Sequence, residues 1–227
     1  MPAAASINRI DRVGFDRVGF DRVGFDRVAF DRVDEVRALQ DRIKAMQATK
    51  LDTRALDTSP TVAGLLPSGA LKTGVAYAIE GSTSLAMALM AGPSAAGAWC
   101  GVVGVPSFGT EAAAAAGIDL ERLALVPYPG DQWMPVTAAL AEVLTVVLVR
   151  PPLPPSDATV ARLMARLRER GATLIVLGRW PGAEARFEVT RSEWSGLGDG
   201  HGYLRSRQLT VGVESRTGSR SRELVLP

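Results

Sequence analysis

The stretch whose residue types bear most directly on chemistry is residues 74–90, GVAYAIEGSTSLAMALM. Val75, Tyr77 and Ile79 alternate with small residues, Glu80 to Ser84 make a turn, and Leu85 to Met90 restart as an apolar helix. A strand that enters a helix through a small turn is where a nucleotide-binding α/β protein holds phosphate. A working phosphate loop, GxxxxGK[ST], supplies backbone N–H groups for the phosphates, a Lys for the β/γ charge and a hydroxyl for Mg²⁺. Here Gly81 is kept, but Leu85, Ala86 and Met87 occupy the exit of the turn and the second Gly and the Lys are missing. Phosphate charge would meet hydrocarbon. Gly81, Ser82, Thr83 and Ser84 therefore read as a vestigial phosphate loop, and no cofactor is expected.

Nothing else in the chain assembles a catalytic or metal-binding set. Cys100, the single Cys, lies in the apolar run AWCGVVGV and reads as a core thiol of a reducing compartment. His201, the single His, sits between two glycines, which removes His-based metal sites, Ser/His/Asp triads and Cys/His pairs. No apolar run reaches the length of a membrane span, and the charged N-terminus is unlike a signal peptide. A cytoplasmic protein is expected. The net charge of +2 gives no overall argument for nucleic acid, so only local clusters could provide one.

The elements that must position the turn follow from the chain in order. Residues 1–32 hold a tandem pentad, DRVGF from Asp11, becoming DRVAF at residues 26–30. Five residues advance a helix by roughly 140° beyond a full turn, so Phe15, Phe20, Phe25 and Phe30 cannot line one face. A poorly ordered extension is expected; a solenoid stub and partner binding through Phe are the other readings. Residues 33–63 carry an amphipathic helix, with Val36, Leu39 and Ile43 on its stripe, and a linker rich in Thr, Asp and Pro. That stripe suits packing on its own domain or docking on a partner.

Residues 64–227 form the expected core. After the turn the helix should stop at Ala91-Gly92-Pro93, and residues 98–105 should be a buried strand. Thr110 to Ala116 reads as a helix, residues 123–126 as a short strand, and residues 131–143 as a helix capped by Asp131. Two further all-apolar strands, 144–149 and 172–177, flank a helix that starts at Ser156-Asp157 and stops at Gly171. Unalternating apolar strands separated by helices describe a mostly parallel sheet covered on both faces. Beyond Gly178 the pattern changes to period two at residues 186–189, 207–213 and 222–226, which suits antiparallel strands at the C-terminal end.

Two surfaces draw attention. Arg205, Arg207, Arg216, Arg220 and Arg222 face only Glu214 and Glu223 in sequence, and read either as a DNA-phosphate contact or as a solvated face, since no aromatic residues interleave them. Trp194 and Tyr203 flank a glycine-rich loop and suit either a protein interface or the capping of the sheet end. Arg162, Arg166 and Arg170 share a helix face, which is ordinary amphipathicity before it is a site.

Over about residues 64–213 the order of elements resembles the core of the RecA recombinase family. LPSGALKTGVAYAIEG is similar to that family's LPxGRIxEIxG approach to its phosphate loop, and TEAAAAAGIDLERLALVPY to its next helix and strand. Within the family the chain looks most like the degenerate accessory proteins encoded with translesion polymerases, the ImuA-prime and SulA-like proteins of high-GC bacteria. The resemblance implies an α/β RecA-like fold and a scaffold acting in DNA-damage-induced mutagenesis. Its implied partners are a Y-family-like polymerase homologue and an error-prone polymerase complex, with DNA contact, self-association and location at the nucleoid after damage as further expectations. The departures from the family pattern argue against ATP hydrolysis. The Gly-Lys-Thr is absent, Arg150 follows the strand whose end carries the family's Mg²⁺-serving Asp, and Pro106-Ser107-Phe108 replaces the catalytic-Glu segment. The alternatives are an ATP- or DNA-dependent enzyme with an atypical loop and a SulA-like cell-division inhibitor.

Overall fold

The computed structural model describes residues 54–197 and 202–226. Contacts divide the chain into units of residues 1–49 and 50–227, and the described residues all belong to the second. The pentad array, the amphipathic stripe with Val36, Leu39 and Ile43, and His201 lie outside the described residues.

The second unit opens with strand β1 (Ala55–Leu56), helix α1 (Pro60–Ala63) and strand β2 (Leu71–Lys72), with β1 and β2 paired antiparallel. The stretch from Arg54 to Ala63, expected as linker, thus folds with the core. An eight-stranded sheet follows, built from β3 (Ala76–Glu80), β4 (Cys100–Val103), β5 (Leu123–Val126), β6 (Val146–Val149), β7 (Thr173–Leu177), β8 (Ala185–Leu197), β9 (Gly202–Ser215) and β10 (Gly218–Leu226). Its order is β10-β9-β8-β3-β7-β6-β4-β5. Strands β3 to β8 run parallel, and β8, β9 and β10 form an antiparallel meander. The crossovers carry α2 (Thr83–Ala95), α3 (Thr110–Ala115), α4 (Trp133–Val143) and α5 (Asp157–Arg170).

Alternation along each strand separates two cores. Tyr77, Ile79, Cys100, Val102, Leu148 and Ile175 join Leu85, Leu89 and Met90 of α2 in the first. Ala76, Ala78, Val147, Val149, Leu174 and Val176 join Ala138 and Ala141 of α4 and Val160, Leu163 and Leu167 of α5 in the second. Because both faces are covered, β3, β4, β6 and β7 contain almost only apolar residues. The antiparallel end buries only one face, and Phe187, Leu209, Val211, Val213, Leu224 and Leu226 extend the first core there.

Two expected boundaries move. Helix α2 does not stop at Gly92-Pro93 but runs through Pro93 to Ala95. A proline near the end of a helix forfeits one backbone bond, and here the last turn is closed by the Ala96 N–H on the Gly92 and Ser94 carbonyls. Gly92 is a packing glycine: a Cβ there would lie 2.7 Å from the Asp57 carbonyl oxygen and 2.7 Å from the Ser59 nitrogen. Asp131 does not cap α4, because a 3-10 turn over Gly130–Gln132 runs straight into the helix and Gln132 holds the cap position without a side-chain bond. Ser156 and Gly171 do bound α5, through a Ser156 Oγ that accepts from the Thr159 N–H and a left-handed Gly171 at φ 68°.

Candidate functional site

Strand β3 hands over to α2 through two residues. Gly81 takes φ 87°, a left-handed conformation that favours glycine, and Ser82 is extended at φ −153°. The Ser82 hydroxyl accepts from the Leu85 N–H at 3.1 Å. One of the free N–H groups at the start of α2 is therefore already used by the protein. The run of loop N–H groups that would wrap a phosphate is replaced by this short connection, because Thr83 is already helical.

Arginines from distant segments reach the end of β3 and the first residues of α2. Arg150, just past β6, reaches from its Nη2 to the Thr83 hydroxyl at 3.5 Å. Arg207 of β9 donates from Nη1 to the Ser84 hydroxyl at 3.2 Å and from Nε to the Ser192 hydroxyl at 2.8 Å, and its guanidinium carbon lies 5.2 Å from the Trp194 ring centroid. Glu80, at the end of β3, meets Arg179 at 3.6 Å and Arg186 at 3.9 Å, and Arg186 also pairs with Glu214 at 3.5 Å. A cavity of about 400 Å³ opens here, lined by Glu80, Gly81, Ser82, Thr83, Arg150 and Gly178.

The reach of Arg207 depends on a bulge. Pairing between β8 and β9 is regular up to Val189 opposite Val211, then shifts so that Arg191 faces Thr210. The extra residue inverts the alternation, and Ser192 and Trp194 turn to the α2 side in place of Arg191 and Glu193. Trp194 is half exposed. The backbone of Tyr203 falls in β9.

The C-terminal arginines are not gathered into one patch. Arg220 points inward and donates from Nη2 to the Leu65 and Leu66 carbonyls, each at 2.9 Å. Arg207 is committed to α2, whereas Arg216 in the β9–β10 turn, Arg222 on β10 and Arg205 on β9 are exposed. Nothing local in the sequence marks Arg207 as a partner of Ser84, which lies 123 positions earlier. The link depends on strand order and on the bulge, neither of which has a motif.

Away from this site, Cys100 is fully buried, and burial pushes its thiol up to about 11 despite a hydrogen bond from Ser94. It is an inert core thiol. Burial likewise raises the Tyr77 phenol to about 12, opposed by the Lys72 N–H that donates to its oxygen and aided by the charge of Glu184. Among the described residues no three His, Cys, Asp or Glu side chains converge as metal ligands, and no helix is long and apolar enough to cross a membrane.

The strand order, with its parallel center and antiparallel C-terminal end, defines a RecA-like fold. The flagellar accessory protein FlaH of Methanocaldococcus jannaschii matches at a TM-score of 0.50 and 14% identity, over 77% of this chain and 94% of that one. A KaiC-like protein of Pyrococcus horikoshii gives 0.49 and 14%, over 77% of this chain and 100% of that one. Residues 64–182 match the MT3502 N-terminal domain family, and the chain belongs to that family. It is also 36% identical over 128 residues to the uncharacterized protein Rv3395c of Mycobacterium tuberculosis. That match covers 54% of this chain and 62% of the relative's length.

Proposed function

We propose that this RecA-fold protein does not hydrolyze nucleotide and serves as an adaptor in DNA-damage-induced translesion mutagenesis, binding a Y-family-like polymerase homologue. The observation that carries the non-catalytic part is the β3–α2 connection. Gly81 and Ser82 are its whole length, Ser82 caps its own helix, and Arg150 stands beside Thr83 where a Mg²⁺-serving carboxylate would be needed. A cation in that place repels a metal ion instead of coordinating one. The mutagenesis part is supported by the resemblance of the chain as a whole to the degenerate accessory members of the RecA family; the LPSGALKTGVAYAIEG and TEAAAAAGIDLERLALVPY segments are similar to that family's motifs in general.

The test pairs two measurements: capture of the tagged full chain from damage-treated cells, read by mass spectrometry, and ATP binding by the purified protein. Recovery of a translesion polymerase homologue without detectable ATP binding is the expected result. Tight Mg²⁺-dependent ATP binding with no polymerase would overturn the proposal. That outcome would support a second reading, a nucleotide-dependent protein with an atypical loop. What favors this reading is the 400 Å³ cavity at the start of α2, where Arg150 could supply the charge of the missing Lys.

A further inference from the structure

On the sheet face opposite α2, helices α4 and α5 pack side by side and leave a groove of about 430 Å³ between them. Met134, Pro135 and Ala138 of α4 and Leu163 of α5 give it an apolar floor, while Arg162 and Arg166 line its α5 side. Arg166 lies 3.7 Å from Glu142, but both side chains are about half exposed, and such a pair is weak. Arg162 donates from Nε to the Ala158 carbonyl at 3.3 Å, and among the described residues no carboxylate lies within ion-pair distance of it. Beside the apolar trough, Arg166 thus has one half-exposed glutamate partner, and Arg162 has no carboxylate among the described residues.

The two parts of the groove call for different chemistry in one ligand. Apolar side chains are needed to dry the floor, and carboxylates to meet the rim. A nucleic acid would satisfy only the rim: the floor has no aromatic ring for a base to stack on, and a phosphate backbone brings no apolar anchor. We infer that the α4–α5 groove docks an acidic, amphipathic segment of a protein partner. Its apolar side chains, spaced as on one helix face, fill the floor between Met134 and Leu163, and its carboxylates meet Arg162 and Arg166. The inference stands apart from the polymerase reading, because it specifies the chemistry of the partner and not its identity.

The test selects a phage-displayed random peptide library on the immobilized full chain and compares the enriched peptides on two variants. Arg162→Glu with Arg166→Glu reverses the rim at exposed positions, and Pro135→Trp fills the floor at another exposed position without changing charge. Thermal melting verifies that each variant is folded. The expected result is enrichment of Asp- and Glu-rich sequences with repeated Leu, Ile or Phe, binding about tenfold or more weakly to each variant. Absence of enrichment, enrichment without acidic residues, or equal binding to parent and variants overturns the proposal. A single-stranded oligodeoxynucleotide serves as the counter-probe. If it displaces the peptides, and loses binding with the Glu pair but not with Pro135→Trp, the surface holds phosphates and the proposal fails.

Discussion

Helices α2 and α5 begin with the same capping device and opposite charges. At α5, Ser156 accepts from the Thr159 N–H and Asp157 adds a carboxylate in the first turn, which is where the positive end of a helix favors one. At α2, Ser82 accepts from the Leu85 N–H, but the first turn has no acid, and Arg150 and Arg207 reach Thr83 and Ser84. The difference extends to burial. Helix α5 keeps one apolar stripe of Val160, Leu163 and Leu167, whereas α2 buries Leu85 to Met90 without a break. The start of α5 is arranged for stability. The start of α2 places cations where anions belong.

The largest expected effect tests the caps. Ser156 is exposed, so Ser156→Ala should cost about 1 kcal/mol. Ser82 is buried, so Ser82→Ala leaves the Leu85 N–H without water to replace the lost hydroxyl, and should cost about 2 kcal/mol. Urea unfolding midpoints at constant slope measure both. Equal losses would mean that water reaches the start of α2 and that the two sites do not differ in burial.

An intermediate effect tests the brace. Arg207→Ala removes two hydrogen bonds and the stacking on Trp194, and should cost about 1–2 kcal/mol. Amide exchange should quicken in β8 beyond Val189 and in β9 before Thr210, while β4, β6 and β7 keep their protection. Uniform acceleration across the sheet would show that Arg207 supports the whole fold and not the hairpin alone.

The parallel half of the sheet was legible in the sequence because each of its strands is an apolar run set off by a helix, and burial on both faces permits little else. The antiparallel end was legible only in part. Residues 186–189 and 207–213 alternate visibly, but β8 and β9 continue to Leu197 and from Gly202, through a bulge that breaks the period of two. The site divides in the same way. Gly81, Ser82, Thr83 and Ser84 could be read from the motif and Arg150 from the family resemblance, but the contact of Arg207 with Ser84 could not, since it joins a strand and a helix far apart in the chain. Gly92 read as a helix stop because a glycine before a proline usually is one. The reason it stands inside α2, the close passage of Asp57 and Ser59, is tertiary.

The smallest expected effect is the most direct test of the opposite charges. Arg150→Glu replaces a cation by an anion at the start of α2, and at low ionic strength should stabilize the protein by about 0.3–1 kcal/mol. Asp157→Lys makes the reverse change at α5 and should destabilize it by a similar amount. Both effects act through exposed charge and should fade in about 1 M salt, where the screening length falls to about 3 Å. The sign at Arg150 discriminates between its two roles. Stabilization would mean that the arginine is held against the helix dipole at a cost, as expected of a residue kept for binding. Destabilization that persists in salt would mean that the Arg150–Thr83 contact is structural, and the charges at α2 would then require no functional explanation.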